Sequence, residues 1–200
     1  MALYGFSFLD ISASLGLCAM GLLTFNFLLG MCLSTAYKKS ILWKKLPETI
    51  KLISLDKLHN WTAYVALVFV IFHPLFLIFD TPHKFTLFDV FWPLHAPNQP
   101  TIVLLGSLSF YALVIVMITT QKIIKSKLSF RVWKNIHLIS YGTALLFLFH
   151  GLLMDPELKD RALDWFDAEK VFSEGCFFLV MVTILIRYRY HLKNKNAKVT

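Results

Sequence analysis

The chain has 200 residues, of which 57% are apolar and only 16% charged, with 19 phenylalanines and a formal charge of +8. Too few polar residues remain to coat a soluble domain, and the long charge-free runs exclude the short alternating strands of a membrane barrel. The basic residues fall in short clusters between apolar runs, a pattern of membrane orientation and not of nucleic-acid binding.

At about 1.5 Å of rise per residue, crossing about 30 Å of hydrocarbon takes roughly 20 residues. Five segments meet that length, roughly 11–37, 58–79, 102–120, 133–154 and 171–188. They predict an all-α integral membrane bundle of about five transmembrane helices, folded as one domain over residues 1–200 in contact with membrane lipid. The first segment follows nine residues without Lys or Arg and is too long for a cleavable signal peptide. Its Gly16, Gly21 and Gly30 allow close approach of a neighbouring helix or a porphyrin face. After it come Lys38, Lys39, Lys44, Lys45, Lys51 and Lys57, and the second segment carries His59 and His73. The next loop holds Pro82, Pro93, Pro97 and Pro100, with His83 and His95 near Asp80 and Asp89. Iron or copper suits that grouping, although solvated loop histidines are the commoner case.

Beyond the third segment lie Lys122, Lys125, Lys127 and Arg131, and the fourth carries His137 and His150. An acidic loop follows, with Asp155, Glu157, Asp160, Asp164, Asp167 and Glu169; the tail after the fifth segment is basic through Arg187, Arg189, Lys193, Lys195 and Lys198. Positive charge marks the cytoplasmic side, so the N-terminus is expected outside and the C-terminus inside. An odd number of spans agrees. Cys18, Cys32 and Cys176 sit in apolar surroundings without metal-ligand spacing.

The four histidines carry the chemistry. An ionisable residue at membrane depth is a functional hypothesis by default. The second and fourth segments both start at the cytoplasmic face, which puts His59 and His137 at one depth and His73 and His150 about 20 Å further out. Each level offers two axial nitrogens to one heme iron between facing helices. A step of 14 residues returns to within about 40° of one helix face, whereas the step of 13 in the fourth segment leaves its pair roughly 140° apart. That helix should carry a kink, a tight turn or a different approach angle to one heme, and Gly142, close to Ser140 and Thr143, is the expected place. The plainer alternative is that each histidine is a polar residue bonded to a backbone carbonyl inside the bundle.

The segments LHNWTAYVALVFVIFHPLFLIF and VWKNIHLISYGTALLFLFHGLL resemble the ferric-reductase-like transmembrane domain. NADPH oxidases, ferric reductases and the heme-bearing membrane subunit of a bacterial methionine sulfoxide reductase system share it. The resemblance covers roughly residues 10–190 and includes the unequal steps of 14 and 13. It implies two b-type hemes, the inner on His59 and His137, the outer on His73 and His150. No Cys-x-x-Cys-His is present for covalent attachment. It also implies electron flow from the cytoplasm outward and a multi-pass place in the cell membrane, of the bacterial inner-membrane kind. Family members usually have six helices, so a first one is expected to be missing. No Gly-x-Gly-x-x-Gly is present, so FAD or FMN enters only through a partner flavoprotein, with a membrane quinol as the other donor. The acceptor is expected outside: ferric ion, oxygen or a partner protein.

Several residues are candidates for supporting roles. Lys57, Arg131 and Lys134 inside, with Lys84 and Arg161 outside, are candidates to meet heme propionates. Phe69, Tyr141 and Phe147 fall between the two levels, on the path between hemes or in ordinary packing. The reading is an oxidoreductase component carrying electrons across the membrane. Two alternatives stand beside it: a non-catalytic heme-bearing subunit that anchors a separate oxidoreductase, and a heme-free transporter whose histidines relay protons.

Overall fold

The computed structural model describes residues 7–35, 37–154 and 166–196. Its frame is five helical spans long and apolar enough to cross a membrane, and no strand occurs among the described residues. The helices are α1 (Phe8–Ser34), α2 (Leu55–Leu77), α3 (Pro100–Thr120), α4 (Phe130–His137), α5 (Ile139–Leu153) and α6 (Ala168–Asn196). The fourth span is α4 and α5 together. Short helices at Ile41–Lys45 and Glu48–Lys51 bridge α1 to α2, and Leu87–Phe91 lies between α2 and α3.

The starts of these helices are written locally. Ser7 accepts from the Asp10 amide while Asp10 accepts from the Ser7 amide, a reciprocal cap on α1. Ser54 and Ser129 cap α2 and α4 through their hydroxyls. Pro100 occupies the first turn of α3, where a missing amide proton costs nothing.

The lysine-rich connections join the C-terminus of α1 to α2 and the C-terminus of α3 to α4, so the bundle has one basic end. The opposite, far end is where α2 and α5 finish and α6 begins. α1 runs antiparallel along α2, α3 along α5, and α6 closes against α1 and α5. The core between them holds Met20, Leu23, Ala66, Ala144, Phe147, Leu148, Cys176 and Val180. Large apolar side chains such as Trp61, Phe72, Phe149, Phe178 and Ile186 point outward and are exposed, the arrangement expected where lipid is the solvent.

The fourth span is interrupted by a tight turn, but not at Gly142. The break is at Leu138 (φ −67°, ψ −17°), where the Tyr141 amide donates to the Leu138 carbonyl at 3.1 Å in a three-residue turn. Such a turn winds more tightly than an α-helix, adding rotation in the sense that a step of 13 lacks. Gly142 lies inside α5, and a Cβ placed there would meet nothing within 4 Å.

At the far end the Lys170 ammonium on α6 is buried and donates to the carbonyls of Leu152 (3.1 Å) and Met154. Those carbonyls lie at the end of α5 and just beyond it, where no following turn supplies donors. Lys170→Met keeps the packing but removes the donors, and is expected to cost about 1–3 kcal/mol. Thermal unfolding in detergent micelles measures it.

Candidate functional site

The structure brings the four membrane-depth histidines together as two facing pairs. The ring centres of His59 and His137 are 6.4 Å apart with planes at 72°, and those of His73 and His150 are 6.3 Å apart at 71°. α2 and α5, which carry most of this set, are not among the helix pairs with packed backbones. They approach through their rings, across a gap.

How the rings are held follows from the backbone. A helical carbonyl bonds the amide four residues on, yet its oxygen keeps a second lone pair. The side chain four residues on normally crowds that lone pair; a glycine there leaves it open. α1 supplies this arrangement twice. His73 Nδ1 donates to the Ser12 carbonyl at 2.7 Å, and a Cβ on Gly16 would lie 2.9 Å from that ring. His59 Nδ1 donates to the Asn26 carbonyl at 3.1 Å, and a Cβ on Gly30 would lie 3.2 Å from its ring. α3 supplies it once more: His150 Nδ1 donates to the Ile102 carbonyl at 2.8 Å, with Gly106 leaving only 2.8 Å for a Cβ.

Side chains return the bond on α1. The Ser12 hydroxyl donates to the His73 carbonyl at 2.7 Å, and the Asn26 amide donates to the His59 carbonyl at 2.5 Å and to Thr62 Oγ1 at 2.8 Å. A carbonyl can only accept, so the proton of each of these three imidazoles sits on Nδ1 and the Nε2 lone pair is left free. His137 differs: its Nδ1 is buried with no partner among the described residues, and its ring stacks on Trp133 at 5.3 Å and 17°.

A cavity of about 250 Å³ opens at the far-end pair, lined by His73, His150, Gly16, Gly106 and Phe147 and rimmed by Lys170. Among the described residues no group of three or more His, Cys, Asp or Glu side chains converges as a metal site. Each level thus brings together two imidazoles and no third group of that kind among the described residues.

Other expected residues fall elsewhere. In the loop, His83 bonds Asp80 at 2.5 Å while Asp89 accepts from Thr86 at the start of a short helix, so the two carboxylates are engaged separately. Gly21 faces Phe172 of α6 and no histidine. Lys57, Arg131 and Lys134 are exposed at the basic end, and Arg161 lies outside the described residues. Tyr141 donates to Met31 Sδ at 3.0 Å and its ring meets Phe27. Ser12, Asn26, Ile102, Gly106 and Lys170 were not foreseen, although the sequence carried a signal: Ser-x-x-x-Gly and Asn-x-x-x-Gly recur 14 residues apart in α1, the same step as His59 to His73.

Five apolar spans around two facing imidazole pairs define a multi-pass helical membrane protein with histidine rings paired at two levels. A family model described as ferric reductase like transmembrane component matches residues 15–148. The chain belongs to that family. The matched stretch includes His59, His73 and His137 and ends two residues before His150. No curated protein and no solved structure matches the chain.

Gly16→Ala and Gly106→Ala are expected to push His73 and His150 off their carbonyls, because the clash is with a ring fixed at both ends. Gly30→Ala, with 3.2 Å available, should be milder. Gly142→Ala should be neutral or stabilising by up to about 1 kcal/mol through helix propensity. Melting temperatures of the four variants in one detergent test this order.

Proposed function

We propose that the chain is a transmembrane electron-transfer protein, a single domain over residues 1–200 that holds two b-type hemes, one between His59 and His137 and one between His73 and His150. The observation that carries this reading is the spacing of the ring pairs. Two metal–nitrogen bonds of about 2 Å each, plus the short distance from each nitrogen to its ring centre, total about 6 Å, and the pairs stand at 6.4 and 6.3 Å. Two ligands per level suffice for a macrocycle that supplies its own in-plane nitrogens. The separated α2 and α5 leave room for a planar group, and the glycines remove the side chains that would crowd it.

Heme supplies one-electron chemistry when bound. The residues of the chain fix the ligand rings and their tautomers, since a carbonyl acceptor on the second nitrogen orients a ligating imidazole and raises its basicity. They also exclude water with an apolar core between the two levels. Lys170, which lines the far-end cavity, is a buried cation available to an anionic group there.

The basic end is assigned to the cytoplasm by its lysines, with the N-terminus outside, in a cell membrane such as the bacterial inner membrane. Electrons enter at His59 and His137 from a partner flavoprotein bearing FAD or FMN, or from a membrane quinol. They leave at His73 and His150 to an acceptor outside, of the ferric ion, oxygen or partner-protein kind.

The purified chain should show a Soret band and a pyridine hemochrome stoichiometry of two hemes b per chain. His73→Ala or His150→Ala should each lose one heme and keep the basic-end site; His59→Ala or His137→Ala should do the reverse. A colourless preparation from heme-supplemented cells would refute the reading.

A further inference from the structure

The four rings are not held alike, and the difference lies in α3. The antiparallel register that sets Ile102 level with His150 also sets Ser109 level with Thr143, where the Ser109 hydroxyl approaches the Thr143 carbonyl at 3.4 Å. The same count, carried toward the basic end through the turn at Leu138, pairs position 115 with position 137, and α3 packs against α4. A glycine at position 119 would complete a fourth seat of the same construction. Thr119 stands there instead, and its hydroxyl donates to the carbonyls of Ile115 and Val116, both at 2.9 Å. The Met117 carbonyl accepts from Thr120 at 2.7 Å and from Gln121 at 3.0 Å. The carbonyls of this turn are thus taken by side chains of α3 and of Gln121 just beyond it.

Two further features mark the same corner. His137 is the last residue of α4, beside the break at Leu138. Its neighbour in the stack, Trp133, has a buried Nε1–H that also lacks a partner among the described residues, and Lys125 covers the Trp133 ring at 4.1 Å. No hydrogen bond seats His137 Nδ1 among the described residues, and its ring rests on Trp133 with His59 facing it at 6.4 Å.

We infer that His137 is the displaceable ring of the four: the site it shares with His59 exchanges it for a small neutral ligand such as carbon monoxide, while the site between His73 and His150 keeps both rings. The inference rests on the two-heme reading. The exchange breaks one Nε2–iron bond and forms one carbon–iron bond; no electron is transferred, and the released imidazole keeps its Nδ1 proton. Loss of the partner on the second nitrogen typically weakens metal ligation by about 10–100-fold, and His137 lacks that partner from the outset.

The test titrates the full chain, purified with its hemes and reduced with dithionite, with carbon monoxide while following visible absorption. One heme of the two is expected to bind, about 10–100-fold more tightly than the other. The step should persist in His150→Ala, which keeps the basic-end site, and vanish in His59→Ala, which keeps the far-end one. Thr119→Gly, which opens the Ile115 carbonyl, should weaken binding, whereas Thr119→Ser should leave it unchanged; this pair decides the matter if a histidine variant loses both hemes. No binding, two equal steps, or a step that follows His73 and His150 overturns the role of His137. Absence of heme from the unaltered chain overturns the two-heme reading on which it rests.

Discussion

An imidazole inside a membrane has two nitrogens and no water, and the fold is organised around the Nδ1 of three such rings. An N–H left unpaired in hydrocarbon is costly, and a helical backbone has no unused amides to offer in its interior. What remains is the second lone pair on each carbonyl. Reaching it requires a gap in the side-chain layer, so every seated histidine here has a glycine opposite it on a different helix. Replacing a glycine affects a histidine distant in sequence because the two share one oxygen.

The same requirement explains the antiparallel pairing of α1 with α2. Ser12 meets His73 and Asn26 meets His59, and each polar side chain donates back to the histidine's own carbonyl. Two helices with equal steps of 14 can satisfy both levels without distortion. The fourth span has a step of 13 and cannot; it breaks at Leu138, which reorients one ring relative to the other. Its far-end ring keeps a glycine seat on α3, and its basic-end ring rests on Trp133. The unequal spacing in the sequence and the unequal support of the rings thus have one geometric origin.

The spans and the pairing of histidines by depth were legible because each follows from one local quantity, the count of apolar residues or the rise per residue. Helix ends moved by a few residues, as at α1, which begins at Phe8, because Ser7 and Asp10 cap it ahead of the apolar run. The tight turn was misplaced for a physical reason. Glycine lowers the local cost of such a turn, but the rotation needed to align His137 and His150 decides where the turn falls, and Gly142 sits where α5 is already in register. Ser12 and Asn26 were missed because their role appears only when two helices are set side by side. Lys170 was missed because its partners are backbone carbonyls, to which a sequence gives no address.

Beside its apolar core, this bundle buries a set of small polar side chains and turns large aromatic ones outward. Ser12, Ser107, Ser109, Thr143 and Ser173 are buried, each small and polar, while Trp61, Phe72 and Phe178 face outward. Between helices in lipid, small residues let backbones approach and hydrogen bonds form. They also fail to fill the space between helices that are held apart, as α2 and α5 are. The cavity at His73 and His150 follows from that choice: Gly16, Gly106 and Ser107 line it, and none has a side chain long enough to cross it. A core packed with leucine would be denser and would close the gap, so the space between the ring pairs is encoded by residues far from them in sequence.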